Sequence, residues 1–136
     1  MKMKKSIPAL PVKNIDTAID FYKTKLRFSV PYHDDGFAKL TYDEVEIHLW
    51  NASDETWKDR GASLSKLPIC SGAESFLAGT ASCRIEVQGI DELFKEYKKQ
   101  GVIYSSDTVV ETQPWGTREF PALDLHRNLL TFYERI

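Results

Sequence analysis

Five aromatic side chains stand outside the helical apolar patterns of this chain. Tyr32, Phe37, Trp50, Trp57 and Trp115 fall at strand ends or in loops. Flat, rigid rings beside a concavity suit a planar aromatic ligand, each well-placed pair adding about 0.5–1.5 kcal/mol beyond simple burial. Carboxylates accompany them at Asp34, Asp35, Asp43, Glu44, Asp54, Glu55 and Glu119, a setting that favours a cationic partner. The plainer alternatives are core or interface rings for the aromatics and turn chemistry for Asp34-Asp35-Gly36. Stacking and charge pairing are the chemistry of holding a molecule, not of breaking one.

Groupings that break bonds are sparse. There is no Gly-x-Ser-x-Gly elbow, phosphate-cradling loop or paired Cys–His signature. Glu46 and Glu86 are candidates for a carboxylate pair across strands, with solvated or salt-bridged strand residues as the ordinary reading. His33 lies near a turn and His126 in the last hairpin loop, so spacing brings neither to His48. Cys70 and Cys83 are two cysteines in a chain large enough to need no staple, and read as reduced thiols of a cytoplasmic protein, with a single disulfide as the alternative.

The elements that must position these groups come from a stretch used twice. Val12-Lys-Asn-Ile-Asp-Thr-Ala-Ile-Asp-Phe-Tyr-Lys23 is answered, at a constant offset of 75, by Val87-Gln-Gly-Ile-Asp-Glu-Leu-Phe-Lys-Glu-Tyr-Lys98. Phe37-Ala-Lys-Leu40 and Phe120-Pro-Ala-Leu123 pair at an offset of 83. A repeated unit of this size is a supersecondary module. In the first copy, Ile15, Ala18, Ile19, Tyr22 and Leu26 share one helical face, capped by Asn14 or Asp16. Strands are expected over 6–12, 28–32, 37–42 and 45–50, with Pro8 and Pro11 suiting the first to an edge or a subunit boundary. In the second, a strand over 83–87 precedes a helix over 90–100 that stops at Gly101. Extended structure over 102–104 and 108–112, a turn at Gln113-Pro-Trp-Gly116, and a hairpin over 118–123 and 129–133 follow. The expected class is α+β: a single domain, 1–136, of two tandem βαβββ modules forming a curved, incompletely closed eight-stranded barrel-like sheet. Module one spans about 6–50, a connector about 51–80, and module two about 81–134.

Bulk properties narrow the partners. The net charge is −2 and the pI about 5.9, which supports no nucleic-acid-binding surface. The basic start, Met1-Lys-Met-Lys-Lys5, is followed by prolines and polar residues, not by an apolar run of signal-peptide length. No stretch has the 18 or so apolar residues of a membrane span. A cytoplasmic protein is expected.

The paired modules, with Asp16-x-x-Ala-Ile-x-Phe-Tyr-x-x-x-Leu26 at the front, resemble the vicinal oxygen chelate (glyoxalase/bleomycin resistance) superfamily. Ser6-Ile-Pro-Ala-Leu-Pro-Val12, Asp35-Gly-Phe-Ala38, Ile47-His-Leu-Trp50, Gly72-Ala-Glu-Ser-Phe76, Ala78-Gly-Thr-Ala-Ser-Cys-Arg-Ile-Glu-Val87 and Gln113-Pro-Trp-Gly116 narrow the resemblance to the bleomycin resistance proteins, over nearly the whole chain. One departure is Arg27, where the pattern has Gly; in a left-handed conformation Arg costs about 1 kcal/mol relative to Gly.

The resemblance implies a ligand and a way of holding it. Metalloenzymes of the superfamily hold their ion at four inward strand positions, which fall here at Ile7, His48, Ser82 and Thr131. Three of these make no stable bond to a divalent ion, and a catalytic site needs about three protein ligands. The expectation is therefore no protein-held metal, no cofactor and no catalytic residue, with His48 a polar lining side chain. The implied function is stoichiometric sequestration of a bleomycin-class antibiotic, metal-free or metal-loaded, by a homodimer that exchanges its first strand at a hinge near Pro8. Ligand-binding residues would be Tyr32, Asp34, Asp35, Phe37, His48, Trp50, Trp115 and Gly116, with Trp115 of one subunit and Tyr32 of the other sandwiching the drug's flat ring system. The alternatives are a metal-dependent enzyme of the same superfamily (thiol transferase, isomerase, lyase or dioxygenase) and a drug-sensing regulator, for which the sequence offers no basic stripe.

Overall fold

The computed structural model describes residues 1–52, 66 and 78–136. The element order is β1 (Ala9–Val12), α1 (Ile15–Thr24), β2 (Ser29–His33), β3 (Phe37–Tyr42) and β4 (Val45–Asn51) in the first half. The second half repeats it as β5 (Ser82–Glu86), α2 (Ile90–Gln100), β6 (Glu111–Gln113), β7 (Thr117–Leu123) and β8 (Leu129–Arg135). The eight strands form two four-stranded sheets, ordered β1-β4-β3-β2 and β5-β8-β7-β6. The expected incompletely closed eight-stranded architecture is present as two four-stranded mixed sheets that do not close. In each, the strand before the helix runs parallel to the last strand of its module.

Both helices start and stop for local reasons. The Asn14 side chain accepts from the Thr17 N–H at 2.9 Å, capping α1. Helix α2 has no such residue, because Gly89 sits at φ 85. The carboxylate of Glu134, on β8, accepts from the Ile90 N–H at 2.9 Å instead, placing negative charge at the helix N-terminus. Gly101, at φ 72, ends α2, as its position after Gln100 predicts. After α1 the same left-handed turn falls to Arg27, at φ 68.

One face of each sheet enters the core. Ala38, Leu40, Ile47 and Leu49 are buried with Ile15, Ala18 and Tyr22 of α1, while Ile85, Phe120, Ala122, Leu130 and Phe132 are buried with Ile90 and Tyr97 of α2. Strand alternation sends Phe37, Lys39, Glu46, His48 and Trp50 to the other face of the first sheet, and Arg84, Glu119, Thr131 and Tyr133 to that of the second.

The halves interlock through buried polar groups. Tyr22 donates from its hydroxyl to Asp124 Oδ2 at 2.9 Å, and Tyr97 donates to the Leu26 carbonyl at 2.8 Å. Asn128 Nδ2 donates to the Pro11 carbonyl at 2.8 Å and to Asp124 Oδ2 at 2.9 Å.

Three sequence expectations shift. The first strand begins at Ala9, not at residue 6, because Pro8 has no N–H to give the ladder, although its carbonyl accepts from His48 N at 2.9 Å. The extended stretch before β7 contracts to Glu111–Gln113, with Ile103 making one isolated bridge to Ala122. The pairing of Phe37 with Phe120 is out of phase. Lys39 lies opposite His48, and Pro121 opposite Thr131, so with α1 and α2 offset by 75 the strands β4 and β8 correspond at 83, but β3 and β7 at 82. Phe37 therefore corresponds to Glu119, on the open face, while Phe120 is a fully buried core ring. An error of one residue turns a strand over.

Three of the four outer strands are short or interrupted; β5 (Ser82–Glu86) is not. Pro11 lies in β1, Pro31 in β2, whose register slips between Ser29 and Tyr32, and β6 has three residues.

Candidate ligand site

Phe37 is the centre of an aromatic cluster on the open face of the first sheet. It lies opposite Trp50 in the β3–β4 ladder, and their rings meet edge to face at 5.1 Å and 66°. The His48 ring meets Phe37 at 4.9 Å and 76°, and Tyr32, from β2, approaches it at 6.1 Å and 45°. Edge-to-face geometry between rings at these spacings fixes their planes relative to one another. Tyr32 remains 53% exposed, so the cluster presents a ring to solvent.

The acidic turn shapes this wall. Asp34 Oδ1 accepts from the Gly36 N–H and Oδ2 from the Tyr32 hydroxyl, both at 3.0 Å, and the Asp34 N–H donates to the Phe37 carbonyl at 2.9 Å. The Gly36 N–H, with the Tyr32 hydroxyl second, holds the Asp34 carboxyl below its usual range, and the same bond pushes the Tyr32 phenol up. Asp34 thus orients Tyr32 as well as closing the turn, while Asp35 stands exposed beside it.

His48 is tied from behind. Its Nε2 lies 2.7 Å from Glu46 Oε2, and Glu46 also accepts from Lys5 Nζ at 2.9 Å, with Lys39 Nζ at 3.9 Å. The Lys5 ammonium, then His48, holds the Glu46 carboxyl below its usual range. Because an ionised carboxylate only accepts, Nε2 of His48 carries the proton.

Trp115 belongs to the second module and is 63% exposed. It sits in the β6–β7 turn, where Gly116 N–H donates to the Gln113 carbonyl at 3.1 Å and Gly116 itself takes φ 90, a conformation open to glycine and costly for other residues. Beneath the turn Glu119 accepts from Arg84 Nη1 and Nη2 at 3.2 and 2.8 Å and from the Thr117 hydroxyl at 2.7 Å. Arg84 lies over the Tyr133 ring at 4.7 Å. Where the first sheet offers rings, the second offers an ion-paired surface.

The structure therefore brings together Tyr32, Asp34, Phe37, His48 and Trp50, with Asp35 at their edge, and holds Trp115 and Gly116 on the other module. Pro8 precedes β1, which pairs with β4 of its own chain. The expected acidic rim does not hold together. Asp43 and Glu44 form the β3–β4 turn, at the far end of the hairpin from the Phe37–Trp50 pair, roughly 17 Å away at about 3.3 Å per residue. Glu119 is neutralised by Arg84. Trp57, Asp54, Glu55 and Cys70 lie outside the described residues.

Glu46 and Glu86 do not form a pair: the first is taken by Lys5 and His48, and the second accepts from Arg135 Nε at 2.8 Å. Both line a separate hollow of about 1230 Å³ between the modules, with Phe28, Ile47, Ile85 and Phe132 on its apolar side; none of the eight expected ligand-binding residues lines it. His33 and His126 are not among the partners of His48. Of the four positions at which the superfamily holds metal, His48 alone carries an ion-binding side chain, and no group of three His, Cys, Asp or Glu side chains among the described residues is placed to hold an ion. No helix of the described residues is long and apolar enough to cross a membrane.

Sequence reasoning missed the Lys5–Glu46–His48 and Arg84–Glu119–Thr117 arrangements. The alternation of Glu46 with His48, and of Thr117 with Glu119, put each pair on one strand face, but their cationic partners depend on the ladder register.

No family model matches the chain. Bleomycin resistance proteins of Geobacillus stearothermophilus and Staphylococcus aureus are each 50% identical to it over 134 residues, covering 98% of this chain and 98% of theirs. Among solved structures, a bleomycin-binding protein complexed with bleomycin superposes with a TM-score of 0.69 at 18% identity, covering 98% of this chain and 100% of that one. The bleomycin-binding protein from Streptomyces verticillus, complexed with copper(II)-bleomycin, gives 0.71 at 21% identity, covering 97% and 96%. At those identities the solved structures speak for the fold.

Proposed function

Because this chain belongs to the bleomycin resistance proteins, we propose that it confers antibiotic resistance by binding bleomycin-family glycopeptides one for one and sequestering them, without changing them chemically. The observation that carries this reading is the open aromatic wall of Tyr32, Phe37 and Trp50, braced by His48. Such a wall suits the stacking of a flat heteroaromatic ring.

The active species in this reading is a cytoplasmic homodimer. Trp115 of one subunit and Tyr32 of the other, each more than half exposed in the single chain, close on the ring system from both sides. The first strand, hinged near Pro8, is the segment exchanged between subunits; in the single chain residues 1–6 ahead of it are exposed, with Lys5 paired to Glu46. Any metal arrives within the drug. Protection requires a dissociation constant of micromolar or better, roughly −8 kcal/mol.

Calorimetric titration with metal-free and copper-loaded bleomycin, followed by mass analysis of the recovered drug, tests the proposal. Saturation at one drug per chain with the drug's mass unchanged is expected. A modified product would make the protein an enzyme, and absence of binding would end the reading.

A further inference from the structure

The Glu46 carboxylate is fixed from two directions, by Lys5 of the N-terminal arm at 2.9 Å and by Lys39 of β3 at 3.9 Å. Its third neighbour is His48, two residues along the same strand face, at 2.7 Å from Nε2. The far contact of that imidazole is the Phe37 ring, at 4.9 Å. Phe37 in turn touches Trp50 and Tyr32, so the ring at the centre of the wall is braced on one side through a chain that begins at Glu46. A carboxylate that accepts a hydrogen bond from Nε2–H fixes both the tautomer and the rotation of the imidazole, because the ring cannot turn without losing a charge-assisted bond.

We propose that Glu46 is a positioning residue for ligand binding: it holds His48 by its Nε2 edge so that His48 braces Phe37, and Phe37 in turn sets Tyr32, on whose face the antibiotic's flat ring system stacks. The role rests on the sequestration reading above and adds a residue that touches no ligand in it.

The test is a double-mutant cycle on metal-free bleomycin, read by calorimetry. Glu46→Ala should weaken binding about threefold to tenfold, the span that one aromatic contact carries, and Glu46→Gln, which can still accept from Nε2 through its amide oxygen, should recover most of it. In a Phe37→Ala background the Glu46→Ala loss should vanish, since no ring is left to brace. An equal loss in both backgrounds would mean that Glu46 acts on overall structure, and would overturn the role. Nitrogen-15 spectra of the imidazoles give a ligand-free reading: His48 should be protonated at Nε2 at neutral pH, and Glu46→Ala should release that preference. An unprotonated Nε2 in the wild type also overturns the proposal. A wild type that takes up no bleomycin refutes sequestration and this role with it, whereas a wild type that binds equally well with Glu46→Ala refutes the role alone.

Discussion

The Tyr22 hydroxyl donates to the Asp124 carboxylate at 2.9 Å, across 102 residues of chain. Its repeat counterpart, Tyr97, crosses in the opposite sense to the Leu26 carbonyl. Both rings are almost fully buried, so each hydroxyl removed leaves an acceptor out of reach of water. Tyr22→Phe should cost about 1.5–3 kcal/mol, because its acceptor is ionic, and Tyr97→Phe about 0.5–1.5 kcal/mol. Urea unfolding of the two variants ranks them. A smaller cost at Tyr22 would mean that Asn128 and the turn amides satisfy Asp124 unaided.

Arg27 holds the left-handed position after α1, at φ 68. Its guanidinium is paired with Glu96 at 3.4 Å, but both side chains are well exposed, and such pairs contribute little. Arg27→Gly should therefore stabilise the fold by about 1 kcal/mol, the difference between a residue with a Cβ and one without in this conformation. Thermal unfolding should show a rise of a few degrees; a fall would place more value on the Glu96 pair than exposed pairs normally carry.

Trp115→Ala should weaken bleomycin binding by about 1 kcal/mol or more while leaving the oligomeric state unchanged. The ring is 63% exposed in the single chain and packs no core, so unfolding midpoints should barely move. Calorimetry and light scattering on the same preparation separate ligand contact from a structural role. Unchanged affinity would remove Trp115 from the site.

Burial, with the Asp124 charge second, pushes the Cys83 thiol up from 9.0 to about 11. The fold thus favours the protonated thiol. Its contribution to stability is complete below pH 9 and is lost as pH rises through about 11. In a Cys70→Ala variant, alkylation of Cys83 by iodoacetamide should stay slow at pH 9 and accelerate only toward pH 11, whereas the urea-unfolded chain should show the ordinary onset. An onset near 9 in the folded protein would mean that the thiol is open to solvent.

Much of the architecture is legible because helices announce themselves by spacing. The offset of 75 matches Ile15 with Ile90 at the first residue of each helix, and Gly101 stops α2 where expected. Strands are read less safely, since only parity tells their faces apart. One residue gained in the second hairpin was enough to pair outward Phe37 with inward Phe120. The aromatic members of the site are legible by type, and Phe37, His48 and Trp50 cluster because the β3–β4 ladder puts them together. What the chain cannot show by itself is neighbourhood across register. Lys5 meets Glu46 only because β1 runs parallel to β4, and Arg84 meets Glu119 only because β8 lies between their strands. Asp43 and Glu44, close to the rings in sequence, are carried by their turn to the other end of the hairpin.

The prolines and short lengths of the outer strands have a bearing on dosage. A protein that disarms one drug molecule per site must accumulate until its copies match the toxin, and crowded chains with bare, regular ladder groups tend to zip together into insoluble aggregates. Pro11 in β1, Pro31 and the slipped register in β2, and the three residues of β6 leave few consecutive donors and acceptors for a neighbour to grasp. At these three margins the interruptions make poor templates, which favours a protein needed in quantity; β5 is the one outer strand that keeps a regular ladder.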